Sequence, residues 1–433
     1  MKHIPKYLLA VLFLGTASAL FFRNFSEAVW IWWASFLIAA FVVWCFRAMI
    51  SHQPFSRFFL VFAFMFLISV PLIGKKETES YEKRALAEFP EFRLGNPWKF
   101  FFGFTDWFND RFAFRNEAVQ SISKFRLHTF KISTMPRIVE WGEGNWLFTS
   151  RKEYVDDTSI PFTEAQLDTV EKNLEIITKF FDTKGIKFYF AMIPVKERIY
   201  PEYMSELLRH RMRHSKQAQI YERIASNPNI RSVDVKDVLI EGKKEHPTYY
   251  TTDTHWNHYG SFLAYRKIIE RIRKDFPEIK PSELGDYEMS SSVTDAGDLQ
   301  ILMGFRDEFH FEHIHLTHKS GLKLISTDGD TAEVGEHKKY QAYTMSGVNN
   351  NLRLALIRDS FSEYLKLFIC RDFSRSDLVW TPKLPVKEIL AAKPDIVLQE
   401  MLEMFVMNTL VLPEEIKKDS TFMKENFPGW VIK

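Results

Sequence analysis

The chain has 433 residues, more than one ordinary domain needs. Its 57 basic and 55 acidic residues leave a net charge of +2, which argues against nucleic acid as the main partner, because phosphate binding relies on clustered positive charge. With 2 cysteines, Cys45 and Cys370, no disulfide framework and no cysteine-type zinc motif can be read.

Three apolar stretches open the sequence, Tyr7 to Phe22, Ala28 to Phe46 and Phe58 to Ile73. All three are free of charge, and a helix crosses a bilayer core in roughly 20 residues, with shorter spans tolerated, so each reads as a spanning helix. The first ends near Ala17-Ser18-Ala19, which has the small residues of a signal-peptidase site; the uncleaved reading is the one taken. Lys2 and Lys6 precede the first stretch, and Arg47 and Arg57 lie between the second and third. If both groups are cytoplasmic, everything after Gly74 lies outside the cytoplasm. Residues 1–74 therefore read as an anchor of about three transmembrane helices, and residues 75–433 as an extracytoplasmic domain.

Next come Phe101, Phe104, Trp107, Phe108, Phe112 and Phe114 at helix-like spacing, which predicts a helix packed on the globular part. Gly142 to Phe148 reads as a turn feeding a buried strand. Thr163 to Lys184 is predicted as a helix. Thr163 and Gln166 form a capping box, Leu167, Val170, Leu174, Ile177 and Phe181 make one apolar face, and Gly185 supplies the stop. Ile186 to Ile193 is a continuous apolar strand. Helix followed by buried strand is the grammar of an α/β fold with a mostly parallel central sheet flanked by helices. Lys196 and Arg198 follow that strand, in the kind of loop where α/β domains place their sites. They are candidates to touch substrate or simply to be solvated. Tyr203 to Ala225 is predicted as a helix and Val233 to Leu239 as a strand.

The organising stretch is Tyr249 to Asn257, with Asp253 and His255 two apart before a helix predicted from His258 to Lys274. On an extended segment, side chains two apart point to the same side. A carboxylate that orients an imidazole is two thirds of a nucleophile-activating system. Asn257 is a good N-cap, and a helix N-terminus beside His255 tends to keep the imidazole neutral, as a general base requires. Further on, Phe309 to His318 carries His310, His313, His315 and His318; His313 and His315 share a face of an alternating strand, and a partly exposed strand, not a metal site, is the reading taken. Leu352 to Ile357 is an apolar strand and Phe361 to Ile369 a helix, which leaves Ser360 on a strand-to-helix turn where helix N–H groups can face an oxyanion. Lys393 to Leu398 reads as a last buried strand.

In order, the segments Arg84-Ala85-Leu86-Ala87 with Phe89-Pro90, Gly144 to Phe148, Pro194-Val195-Lys196-Glu197 with Tyr200-Pro201, Thr252-Asp253-Thr254-His255-Trp256, Gly297-Asp298-Leu299, Asp359-Ser360-Phe361-Ser362 and Lys393-Pro394-Asp395 are similar to those of the SGNH-hydrolase-like domains of the alginate O-acetylation proteins and the related DHHW family. The resemblance covers roughly residues 80 to 405. Thr254 and Arg358 depart from it, standing where members tend to have histidine and glycine.

The resemblance implies an SGNH-hydrolase-like fold with Ser360 as nucleophile, His255 as base and Asp253 as its orienter. Trp256, Asn257, Lys196, Arg198 and Arg358 are the associated candidates for substrate contact. It implies a membrane-anchored O-acetyltransferase that uses no cofactor or metal and acts on an envelope or secreted polysaccharide. It also implies a polytopic membrane acyltransferase as the partner that supplies the acetyl groups. The expected location is a bacterial inner membrane, with the catalytic domain on the periplasmic or extracellular side. A polysaccharide acetyl esterase would use the same three residues. A non-catalytic glycan-binding scaffold of a polysaccharide assembly complex would not bring them together.

Overall fold

The structure is a computed structural model that describes residues 85–428 apart from 93–94, 112–114, 131, 295–296, 306–307, 328–338 and 407–409. The chain divides into two compact units, residues 1–134 and 135–433.

The described part of the first unit holds two helices, α1 (Pro97–Arg111) and α2 (Arg115–Phe130). The aromatic periodicity does produce α1. Its rings pack on one another and on the preceding segment: Phe89 meets Trp107 edge-on at 5.0 Å, and Phe100 stacks on Phe104 at 6.1 Å. Phe112 and Phe114 lie outside the described residues.

The expectation of transmembrane helices is corrected here. Among the described residues no helix is long and apolar enough to cross a membrane. The three apolar stretches, from Tyr7 to Ile73, lie outside the described residues. The α/β part of the fold expectation fits.

In the second unit, strands β1 (Val139–Trp141) and β2 (Leu147–Thr149) pair as a small hairpin. The turn between them passes through Gly144 at φ 60°, a left-handed conformation that glycine adopts without strain. Among the described residues the main sheet has seven strands: β3 (Lys187–Ile193), β4 (Ser232–Asp234), β7 (Ile325–Ser326), β8 (Tyr340–Thr344), β9 (Arg353–Arg358), β10 (Arg375–Trp380) and β11 (Ile396–Leu402). Their order is β4-β3-β11-β9-β10-β8-β7. The first five run parallel, and β8 and β7 add antiparallel strands at one edge. A separate two-stranded ribbon joins β5 (Tyr287–Thr294) to β6 (Phe311–His318).

Both faces of the parallel strands are covered. On β3, Tyr189, Ala191 and Ile193 enter one core cluster, while Phe188, Phe190 and Met192 enter the other. On β9, Leu354 and Leu356 face the first cluster and Ala355 and Ile357 the second. Burial on both sides is why these strands read as unbroken apolar runs. Helix α3 (Glu164–Thr183) covers the second face, and its Thr163–Gln166 capping box forms as expected. Helices α5 (His258–Arg273) and α6 (Ser362–Ile369) cover the first face.

Two element predictions fail for a local reason. The helix expected from Tyr203 to Ala225 is broken, and its second half is α4 (Lys216–Ile224). Ser205 and Ser215 each accept a backbone N–H three residues on, so each starts a new helix. The strand expected from Val233 to Leu239 ends at Asp234, whose carboxylate accepts the N–H of Lys236 and starts a helix there.

Candidate active site

The C-terminal ends of β3, β11 and β9 lie side by side, and each delivers a polar group: Lys196, Glu403 and Ser360 follow these strands. That is the end at which open parallel sheets bind ligands. Ser360 occupies the turn between β9 and α6.

The segment before α5 is a series of bends, not the extended strand assumed in sequence. Asp253 and His255 meet through a turn: Asp253 Oδ1 accepts the backbone N–H of His255 at 2.9 Å and lies 2.6 Å from its Nδ1. A carboxylate that bonds its own backbone two residues on is a standard turn-former. The other ring nitrogen, His255 Nε2, lies 2.8 Å from Ser360 Oγ. The three side chains, 105 residues apart in sequence at the widest step, therefore form one hydrogen-bonded line.

Helix α5 does start as expected, with Asn257 Oδ1 accepting the Gly260 N–H at 2.9 Å. Its N-terminus does not dominate the imidazole. Burial lowers the His255 pKa, but the hydrogen bond and charge of Asp253, with Asp298 and Asp359 behind it, raise it to about 9. Asp253 is itself pushed up by burial and pulled down further by His255 and two backbone N–H groups, so it stays well below the usual carboxylate range. Both shifts favour the carboxylate–imidazolium form of the pair.

Asp298 is a site residue that local reading missed as a functional group. Its N–H donates to Asp253 Oδ2 at 2.9 Å, and its carboxylate accepts from Thr254 N (2.9 Å) and Thr254 Oγ1 (2.7 Å). The only signal was its place in the Gly297-Asp298-Leu299 segment of the family resemblance. Gly297 is needed for space: a Cβ there would sit 2.2 Å from the carbonyl oxygen of Thr252.

The five side chains considered for substrate contact are placed as internal supports. Trp256 is fully buried, and its Nε1 donates to the carbonyl of Phe361 at 2.8 Å. Asn257 caps α5 and its Nδ2 donates to Pro247 O. Lys196 is 1% exposed, and its Nζ donates to the carbonyls of Tyr250 (3.2 Å), Thr251 (3.2 Å) and Asp253 (2.7 Å). Burial lowers its pKa to about 8, against the raising charges of Glu197, Asp298 and Asp253. Arg198 pairs with the buried Glu403 and donates to the carbonyls of Thr158 and Met212. Arg358 is fully buried, bonded to Glu363 at 2.6 Å and Gln341 at 2.5 Å, with Trp380 against its guanidinium.

Behind the serine, Asp359 Oδ1 accepts the Phe361 N–H (2.9 Å) and Oδ2 accepts the Leu402 N–H (2.7 Å), which pins the turn to β11. Phe361 N–H is therefore already engaged. Glu400 bonds Ser362 Oγ, and burial holds its carboxyl well above the usual range.

Beside this line stands a group of imidazoles and phenols. His313 and His315 do share a face of β6, and their rings stack at 4.0 Å and 17°. The structure adds His258, the first residue of α5, to that pair. Tyr250 Oη lies 2.9 Å from His313 Nε2 and donates to Tyr364 Oη at 3.3 Å. Burial lowers the pKa of His258 to about 3 and of His313 to about 4, with the neighbouring imidazoles adding to both shifts.

Comparison with known proteins places these residues within one family. The family model described as the SGNH hydrolase-like domain of the acetyltransferase AlgX matches residues 139–363. The probable alginate O-acetylase AlgJ of Pseudomonas aeruginosa is 24% identical over 224 residues, covering 51% of this chain and 54% of that protein. The Azotobacter vinelandii protein of the same name is 27% identical over 135 residues, covering 30% of this chain and 33% of that protein. The chain thus spans about half the length, or less, of these curated relatives. Among solved structures, Bacillus cereus PatB1 superposes with a TM-score of 0.47 at 14% identity, covering 62% of this chain and 98% of that one. The O-acetyltransferase domain of Pseudomonas putida AlgJ gives 0.40 at 14%, covering 66% and 98%.

Proposed function

Because the chain belongs to the family of SGNH hydrolase-like acetyltransferase domains, we propose that it is an O-acetyltransferase in which Ser360, His255 and Asp253 carry acetyl groups onto the hydroxyls of a polysaccharide. The observation that carries this reading is the line of two short contacts, 2.8 Å from Ser360 Oγ to His255 Nε2 and 2.6 Å from His255 Nδ1 to Asp253.

The chemistry proceeds from the atoms present. Ser360 Oγ attacks the carbonyl carbon of an acetyl donor as its proton passes to neutral His255 at Nε2. Asp253 holds the imidazole in the Nδ1–H tautomer and stabilises the imidazolium that forms. The oxyanion is held by the main-chain N–H of Ser360, since that of Phe361 is bonded to Asp359. The leaving group departs with the His255 proton. A sugar hydroxyl then attacks the acetyl-serine and gives its proton to His255, which passes it to Ser360 Oγ as the acetyl–oxygen bond breaks, releasing the acetylated sugar and free Ser360. Trp256, Asn257, Lys196 and Arg358 act in this scheme by bracing the two turns and Arg198 by holding Glu403, not by touching substrate.

The names of the relatives make alginate-type polysaccharide the first acceptor to test. A membrane acyltransferase as acetyl source, and a location of the catalytic part outside the cytoplasm, belong to the same proposal.

The test uses the full chain with a chromogenic acetyl ester, with and without an alginate oligosaccharide. The expected result is an increase of one acetyl group in the mass of the protein, absent in Ser360→Ala, and acetyl transfer to the oligosaccharide. Ester turnover unchanged in Ser360→Ala overturns the serine assignment. Turnover that needs Ser360 but leaves the glycan unacetylated, and removes acetyl from an acetylated one, replaces the transferase with an esterase.

A further inference from the structure

We propose that His258, His313 and His315 bind one divalent transition-metal ion of the zinc class, clamping the β5–β6 ribbon onto helix α5. The proposal stands on geometry. His313 and His315 alternate along β6, so both imidazoles leave the same face. His258 reaches them from the start of α5, with ring centroids 5.5 and 5.7 Å away. One nitrogen from each ring lies within 4.8 Å of the others; His258 is buried, and His313 and His315 are partly exposed, so an ion enters from the β6 side. A tetrahedral zinc with Zn–N bonds of about 2.0–2.1 Å holds its nitrogens roughly 3.4 Å apart. Because His313 and His315 stack at 17°, binding requires one ring to turn out of the stack so that both lone pairs meet the ion. Three imidazoles with a free fourth position is a well-populated donor set for zinc.

The surroundings supply the orienting contacts such a site needs. Ser292 Oγ, on the paired strand β5, lies 2.8 Å from His315 Nε2. Tyr250 Oη lies 2.9 Å from His313 Nε2 and offers an oxygen at the edge of the site. His258 is the weakest of the three ligands. Its Nδ1 accepts the Leu316 N–H at 3.2 Å, so its proton is on Nε2; a metal at Nε2 requires that proton to move to Nδ1 and the Leu316 N–H to lose its acceptor. His313 and His315 are therefore the primary pair, and His258 completes the site.

A second group, Asp253, His255 and Asp298, also brings three donor atoms within 4.8 Å of one another, so the experiment must separate the two. The full chain, stripped with a chelator, is titrated with Co²⁺ while visible absorption is followed, and with Zn²⁺ by calorimetry. One equivalent of either ion is expected to bind, with the intense ligand-field bands of a tetrahedral nitrogen site. Binding is lost in His313→Gln and His315→Gln, weakened in His258→Gln, and kept in His255→Ala. Zinc raises the melting temperature of the wild type and of His255→Ala but not of His313→Gln, since an ion stabilises only the form that binds it. The proposal is overturned if the wild type binds neither ion, if binding survives both strand substitutions, or if it is His255→Ala that abolishes it.

Discussion

The indole N–H of Trp256 donates to the main-chain carbonyl of Phe361 at 2.8 Å, so the residue after His255 is tied to the residue after Ser360. Both are fully buried, and the Phe361 ring also faces the His255 imidazole at 4.9 Å and the Trp256 indole at 5.4 Å. Two turns far apart in sequence thus share one hydrogen bond and one aromatic contact. Their separation sets the distance between His255 Nε2 and Ser360 Oγ.

Trp256→Phe keeps most of the ring contact and removes the donor. It leaves the Phe361 carbonyl buried without that donor, a loss of about 1–3 kcal/mol. Denaturant unfolding should show that loss, with a fall in kcat/KM because the two turns are no longer held in register. Unchanged stability and activity would mean that the indole bond does not set the spacing.

Ser360→Ala and His255→Ala should each lower acetyl-ester turnover by a factor on the order of 10⁴ or more. The double substitution should lose little further, since a nucleophile and base in the proposed roles act as a unit. Losses that instead multiply in the double variant would show that the two groups act in separate steps. Steady-state kinetics on the three proteins decides.

The raised pKa of His255 makes a pH prediction with a definite sign. An imidazolium cannot take the serine proton, so kcat/KM should climb as pH rises and level off above about 9. Asp253→Asn removes the largest raising influence and leaves burial, which lowers the pKa. The midpoint should then move down, together with a lower maximum rate. Stability runs the other way. His255 has a folded pKa above its unfolded value of roughly 6.5, so its contribution is complete below that pH and is lost as pH rises towards about 9. A rate profile that is flat above pH 7 would contradict the assigned protonation.

How much of this was legible in sequence depended on distance along the chain. The strands β3, β9 and β11 and helix α3 were readable because each carries its own signal, an unbroken apolar run or a capping box on a periodic face. Asp253, His255 and Ser360 could be singled out from their local settings, and the structure puts them in contact. The broken helix after Tyr203 was missed because Ser205 and Ser215 compete with an otherwise continuous pattern. Asp298 and His258 were missed because what matters about each is a partner 45 or 55 residues away. Asp298 reaches Asp253 through a loop, and His258 meets His313 only when the ribbon folds over α5. The protonation of His255 was misjudged for a related reason. The helix N-terminus was weighed without the Asp253 carboxylate two residues before the imidazole, which raises its pKa most, and the carboxylates of Asp298 and Asp359 add to it from elsewhere.

Gly297 tests whether the loop that carries Asp298 is essential to the site. Its φ of −72° is open to any residue, so only space demands glycine here. An added Cβ would meet the Thr252 carbonyl oxygen at 2.2 Å, its carbon at 2.4 Å and Thr252 Oγ1 at 2.3 Å. Backbone atoms cannot swing aside as a side chain can, so Gly297→Ala must push the two segments apart. That weakens two bonds that cross between them, Asp298 N–H to Asp253 Oδ2 and Leu299 N–H to Thr252 O. The cost of such overpacking is typically about 1–3 kcal/mol. Because Thr252 precedes Asp253, the displacement also reaches the carboxylate that orients His255. Gly297→Ala should therefore lose more activity than Gly285→Ala, whose added Cβ would meet nothing within 4 Å. Thermal unfolding and kcat/KM measured on both variants give the comparison. Equal activity in the two would show that Asp253 holds its position without the Asp298 loop.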